Sequence, residues 1–260
     1  MPLRTVTATR YVTPLREGGS LPAIIEADDS GLYVLKFRGA GQGAQALVAE
    51  LLAGEIGRAA GLAVPEIVFV ELDPDLARSE PDPEIQALIR ASAGLNLALD
   101  YLPGSLTFDP VADSLDAETA SSIVWFDALV SNVDRTARNT NMLVWHRKLW
   151  LIDHGAAFYF HHGGGDFTSR ACDPFAKIGE HVLLPQASRI AEVDAALSQR
   201  LSPSVIAAQV DLLPDPWLVH AASGESAAAR RRMYLDYLAE RLKAPRAFAE
   251  EAVRARSRHL

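Results

Sequence analysis

Three residues in the middle of the chain combine a chemical type with a telling spacing: Asp134 and Asn139 in the polar loop 132–141, and Asp153 at the end of an apolar run. Amide and carboxylate oxygens are hard ligands, and Mg²⁺ takes one or two carboxylates together with substrate phosphates rather than a full protein cage. Asn139 and Asp153 fit that habit as metal ligands. Asp134 is then left to receive a proton from an attacking hydroxyl. An Asp-Arg pair in a loop, such as Asp134-Arg135, is by itself an ordinary exposed turn, and its distance from Asn139 and Asp153 is what gives it chemical meaning.

The flanking pattern supplies the means of holding them together. From Asp116 onward Ile123, Phe126 or Asp127, and Val130 are spaced for one buried face of a helix, which breaks at Asn132. Two short apolar strands, 142–145 and 149–152, then flank the turn 146–148, and the second runs into Asp153-His154-Gly155. A hairpin of this kind brings all three residues to one edge. Upstream, turn chemistry at 18–20 and 28–31 separates three β-rich runs, 5–15, 21–27 and 32–37, which predict antiparallel strands. A helix follows over 44–60, where Val48, Leu52 and Ile56 recur every four residues and Gly61 stands where a left-handed cap belongs. Segments 66–72 and 95–102 read as two more strands, with a short helix around 84–91 between them. The expected fold is therefore α+β and two-lobed, like a protein kinase. Residues 1–103 form an antiparallel sheet with one helix, residues 104–260 are mostly helical, and the cleft lies between them.

Composition narrows the classes. The 260 residues carry 25 Lys+Arg against 33 Asp+Glu, a net charge of −8, with 49% hydrophobic and 22% charged residues. That excludes a disordered or collagen-like chain, and scattered basic residues argue against a surface that tracks nucleic acid or anionic lipid. The single cysteine, Cys172, closes no intrachain disulfide, and no leader or membrane-spanning pattern is evident. A cytoplasmic protein without nucleic-acid or membrane partners is expected.

The string Asn132-x-Asp134-Arg135-x-x-x-Asn139 followed by Leu151-Ile152-Asp153-His154-Gly155 resembles the HipA-like kinases, and more distantly the phosphatidylinositol kinases. The likeness extends to His181-Val-Leu-Leu-Pro185 and to 232–254, as in short, one-piece members of the family; Thr136 stands where a His often follows the Asp-Arg pair. The resemblance implies transfer of the γ-phosphate of ATP, with Mg²⁺, to a hydroxyl, favouring Ser or Thr of a protein. It implies roles as well. Asp134, Arg135, Asn139 and Asp153 are the catalytic set. Gly18, Gly19 and Ser20 form the turn over the phosphates, with Ser20 a position for autophosphorylation, and Lys36 pairs the phosphates. Glu50 orients Lys36, and Asp100 to Leu102 form the hinge between lobes. Helical periodicity alone nominates Glu55 instead of Glu50, since Glu55 falls in the apolar stripe.

Other readings stay open at this point. A small-molecule kinase or a nucleotide-binding pseudokinase fits the same residues. A dinucleotide fold is the rival of another class, because Gly39-x-Gly41-x-x-Ala44 opens the helix between runs 32–37 and 66–72, and glycines there would admit a pyrophosphate. His154, His161 and His162 raise a transition-metal site, although adjacent histidines beside glycines more often mark an exposed loop.

Overall fold

The computed structural model describes residues 3–15, 21–41, 43–163, 165–219 and 224–258. The first β-rich runs form β1 (Thr5–Pro14), β2 (Ala23–Ala27) and β3 (Leu32–Lys36), paired antiparallel in sequence order. Asp29 shapes the β2–β3 turn by accepting the Gly31 N–H at 2.9 Å. Helix α1 (Ala44–Ala60) ends as expected on Gly61, whose φ of 90° returns its N–H to the carbonyls of Gly57 and Arg58. Strand β4 (Ile67–Leu72), helix α2 (Pro83–Ala91), capped by Asp82, and strand β5 (Gly94–Asp100) complete this part.

The sheet is not an open antiparallel one. Its order is β1-β2-β3-β5-β4, and β1 and β4 close it into a barrel through a parallel pairing of Thr5, Val6 and Thr7 with Phe69, Val70 and Glu71. Closure leaves neither strand an unpaired edge. Between β3 and β4 lies β5, antiparallel to both, so the two strands that flank α1 do not pair as a dinucleotide-binding unit requires. That rival reading fails on topology. Val6, Ile25, Tyr33, Leu35, Val68 and Val70 fill the barrel interior. Because side chains alternate along a strand, Val34 and Lys36 of β3 point out of the barrel on the opposite face from Tyr33 and Leu35.

Past the barrel come β6 (Leu106–Thr107) and α3 (Ala117–Leu129), whose N-terminus Asp116 caps by accepting the Thr119 N–H at 2.9 Å. Strands β7 (Met142–Trp145) and β8 (Lys148–Leu151) follow, and the order β6-β7-β8 makes a small antiparallel sheet. After three 3₁₀ turns the chain is helical: α4 (Ile190–Arg200), α5 (Pro203–Val210), α6 (Asp215–Leu218), α7 (Ala227–Arg241) and α8 (Ala247–Ser257). Among the described residues no helix is long and apolar enough to cross a membrane.

Helix α1 decides how the parts meet. Twelve of its residues, from Gln45 to Ala60, are buried, so it lacks the single apolar stripe of a surface helix and is enclosed nearly all round. Its Leu47, Leu51 and Ile56 share one core with Val124 and Phe126 of α3, Trp217 of α6 and Tyr237 and Leu238 of α7. This cluster therefore draws residues from both sides of position 103, while the barrel interior forms a second one.

Candidate active site

Lys36 lies where its strand parity sends it, on the outer face of β3 toward α1. Its ammonium is 2.7 Å from Asp153 Oδ1 and 3.7 Å from Glu50 Oε2, with side-chain exposures of 12%, 42% and 2% for Lys36, Asp153 and Glu50. Burial works against the lysine's charge, but the attraction of Glu50 and Asp153 outweighs it and holds Lys36 above the ordinary lysine range. Glu50 shows the reverse balance. Burial pushes its carboxyl up, yet Lys36 first and then the His154 donors bring it down to about 2. Glu50 Oε1 accepts the His154 backbone N–H at 3.0 Å, so one carboxylate ties both the lysine and the residue after Asp153. Glu55, the residue the apolar stripe nominates, pairs with Arg58 at 3.3 Å instead. The stripe misleads because α1 is buried on nearly every side.

The loop after α3 carries Asp134. Its Oδ2 accepts N–H bonds from Asn139 at 2.7 Å and Asn141 at 3.0 Å. Burial raises the Asp134 pKa, the two amides oppose the rise, and the nearby Asp153 adds to it. Asn139 spends its amide N–H on Asp134, which leaves its oxygen as the unused ligand atom. Asp153 likewise keeps Oδ2 after Lys36 takes Oδ1. These two hard oxygens suit Mg²⁺ with phosphate oxygens completing the shell. Among the described residues no group of three or more His, Cys, Asp or Glu is placed to hold a metal ion. His161 is instead buried and bonded to Tyr234 at 2.7 Å.

Arg135 departs from the expectation that it belongs to the catalytic set. Its guanidinium points into the interior, 1% exposed, and donates to Asp127 Oδ2 at 2.6 Å and to the Asn141 carbonyl. Asp127, on α3, also accepts from Asn132 at 2.9 Å and lies 2.9 Å from His181 Nε2. Burial disfavours its charge, but Arg135 and then His181 hold it well below the usual carboxylate range. Arg135 thus positions the loop and does not reach the cleft. Asp127 and Asn141 are the residues the motif reading misses. The one signal for Asp127 is an acid at a helix position that should face the core.

Backbone strain gathers at the same place. Asp153 has φ of 55°, Asn141 48° and Ser131 52°, a left-handed conformation that costs a non-glycine residue about 1–2 kcal/mol. Such residues persist where surrounding structure fixes them. Here the Ile152 N–H bonds to the Asn141 carbonyl at 3.1 Å, and Glu50 holds the other side of Asp153.

A cavity of about 930 Å³ opens onto part of this set; Asp134 and Glu50 are not among the residues that line it. Lys36, Asn139 and Asp153 line it together with Asp100 and Leu102 at the end of β5. Burial, reinforced by Glu66, raises the Asp100 pKa. Gly18, Gly19 and Ser20 lie outside the described residues, while Leu15 and Pro22 on either side line the cavity.

Comparison with curated proteins finds no match. Among solved structures, a Helicobacter pylori proinflammatory kinase, CtkA, is similar over 100% of this chain and 99% of its own, at 12% identity and a TM-score of 0.54. A Golgi casein kinase aligns over 95% of this chain and 76% of its own, at 12% identity and a TM-score of 0.49. These matches lend no support to the more distant likeness to phosphatidylinositol kinases. Residues 9–246 match the family described as HipA-like kinase, and with that match spanning almost the whole chain this protein belongs to the HipA-like kinase family and is a kinase.

Proposed function

We propose that the protein transfers the γ-phosphate of MgATP to a hydroxyl, with Ser or Thr of a protein as acceptor, in a cytoplasmic setting. The observation that carries this reading is the convergence of Lys36, Glu50 and Asp153 in a single ion-pair cluster on the cavity that Asn139 also lines. In this reading residues 1–103 and 104–260 act as two lobes, and Asp100 to Leu102 take the nucleotide base at the hinge between them.

Lys36, held charged by Glu50, binds the phosphates. Asn139 and Asp153 would hold Mg²⁺, which would supply neutralisation of the phosphate charge. Lys36 exchanges Asp153 for phosphate oxygens when the nucleotide enters, and Glu50 keeps the ammonium in place during the exchange. Asp134, raised in basicity by burial and aimed by Asn139 and Asn141, aligns the acceptor hydroxyl and receives its proton. Positioning and charge neutralisation supply most of the rate. Asp127 and Arg135 take no part in the chemistry; they fix the loop that carries Asp134.

The test is a pair of variants. Asp153→Ala abolishes turnover and metal-dependent nucleotide binding, whereas Asp134→Ala still binds MgATP and loses transfer by about 10²–10⁴-fold. Radiolabelled ATP with cell lysate, split into protein and small-molecule fractions, identifies the acceptor class. Thermal stabilisation by NADH but not by ATP overturns the assignment.

A further inference from the structure

A second cavity of about 610 Å³ shares no lining residue with the first. It lies where the end of α1, the start of α3, the β7–β8 turn and α4 meet. Its floor is apolar, built from Leu62, Leu115, Ile123, Leu149, Val193 and Leu197. Its rim is charged in an uneven way. The acids are already engaged: Asp116 caps α3, while Glu118 and Glu192 both hold Arg189, at 2.8 and 2.6 Å. The remaining cations are not. Arg147, Lys148 and Arg200 pair with no carboxylate among the described residues; Lys148 rests over the Trp150 ring and Arg200 donates to the Ala60 carbonyl at 2.6 Å.

The conformation of the turn adds an independent observation. His146 and Arg147 are the two residues between Trp145 and Lys148, and both have positive φ, 49° and 63°. Such a turn favours Asn-Gly, so Arg147 occupies a position that glycine would fit better. Strain kept at a position points to a use for its side chain.

We propose that this cavity binds a small amphipathic carboxylate, a hydrocarbon body with one carboxylate head. The apolar floor takes the body, the arginine forks match the planar head, and the size falls within the range of about 300–1,000 Å³ usual for small-molecule sites. The lining carries four cations, Arg147, Lys148, Arg189 and Arg200, against three carboxylates, Asp116, Glu118 and Glu192, a net charge of +1. In a chain of net charge −8 this locally positive rim, with Arg147, Lys148 and Arg200 outside any ion pair among the described residues, favours an anion. The site is also coupled to the catalytic groups. Leu149 and Leu151 line this cavity while Ile152 and Asp153 line the other, and Leu151 donates to the Ala63 carbonyl at 2.8 Å just beyond the end of α1. An occupant therefore braces the strand that delivers Asp153 against the helix that carries Glu50. This coupling rests on the nucleotide reading above; the binding itself does not.

The probe is decanoate, titrated by thermal shift against the full chain with decanol as the uncharged control. Decanoate should raise the melting temperature of wild type saturably and decanol should not. The double variant Arg147→Gly/Lys148→Ser, whose glycine suits the turn, should melt no lower than wild type yet bind decanoate at least about tenfold more weakly. No saturable shift in wild type, equal shifts from decanol, or unchanged affinity in the variant overturns the site. MgATP is then titrated with and without saturating decanoate, and a change in apparent affinity of about threefold or more supports the coupling. An unchanged affinity overturns it. If MgATP binds under neither condition the nucleotide reading fails, while the decanoate shift still decides the cavity.

Discussion

Replacing Asp127 with alanine should be among the most damaging single changes in the chain, although Asp127 touches no expected substrate atom. Its carboxylate and the Arg135 guanidinium have side-chain exposures of 0%, and the pair is 2.6 Å apart. Removing the acid leaves a positive charge in the interior without a counter-ion, which costs about 3–5 kcal/mol. Asn132 and His181 lose their acceptor at the same time, but these losses overlap with the first rather than add to it. Against a total stability of about 5–15 kcal/mol the change is a large fraction, and at about 2–4 °C per kcal/mol the melting temperature should fall by about 6–20 °C. Urea unfolding followed by far-UV circular dichroism measures it. The companion double variant Asp127→Leu/Arg135→Met, which removes both charges and fills similar volume, should recover most of the loss. A loss below about 1 kcal/mol for Asp127→Ala, or a double variant no more stable than the single one, would refute the claim that this pair holds the loop.

Two further outcomes follow from the same geometry. His181 Nδ1 accepts the Leu183 N–H, so its proton is on Nε2, facing Asp127, and burial, helped by Arg135, outweighs Asp127 and lowers its pKa below 6.5. A folded pKa below the unfolded one means stability that is complete above about pH 6.5 and falls as pH drops through the folded value, so the urea midpoint should decline from pH 7.5 to 5.5, and His181→Gln should flatten that decline; parallel curves for the two proteins would count against it. ATP at a hundredfold excess over its Kd should stabilise the protein by about 2.7 kcal/mol when Mg²⁺ is present, and far less in EDTA, because Asp100, Asp134 and Asp153 otherwise repel the triphosphate; equal thermal shifts in both buffers would exclude metal-assisted binding.

Much of this molecule is legible from local pattern. The four-residue spacing of Val48, Leu52 and Ile56 and the cap at Gly61 delimit α1 correctly, and Asp28-Asp29-Ser30-Gly31 announces the β2–β3 turn. What escapes is non-local. Closure of the barrel depends on β1 meeting β4 in parallel, a pairing between segments some sixty residues apart that no periodicity records. Strand β6 has two residues and exists only because β7 offers it an edge. Among the site residues, Asp134, Asn139 and Asp153 carry their meaning in their spacing, whereas Arg135 reads as a reactive loop arginine until the fold shows what it faces. The choice between Glu50 and Glu55 fails on periodicity for a related reason. A helical wheel ranks faces by apolarity, and that ranking loses its content once every face is covered.

The two buried carboxylates explain why the cleft geometry is a property of helix packing rather than of the loops themselves. Glu50 on α1 fixes Lys36 and the backbone beside Asp153; Asp127 on α3 fixes the loop bearing Asp134. The two helices approach at Gly57, where an added Cβ would stand 3.2 Å from Phe126 Cζ, closer than side chains ordinarily allow. Phe126 is the residue before Asp127, and its ring also meets the edge of His154 at 5.8 Å. A shift of α1 relative to α3 would therefore move the lysine-orienting glutamate and the loop anchor together, and would press on the residue after Asp153. The strained Asp153 and Asn141 can be held in place because both ends of this arrangement belong to one packed core, whose low compressibility lets two helices a glycine's width apart define distances across the cavity.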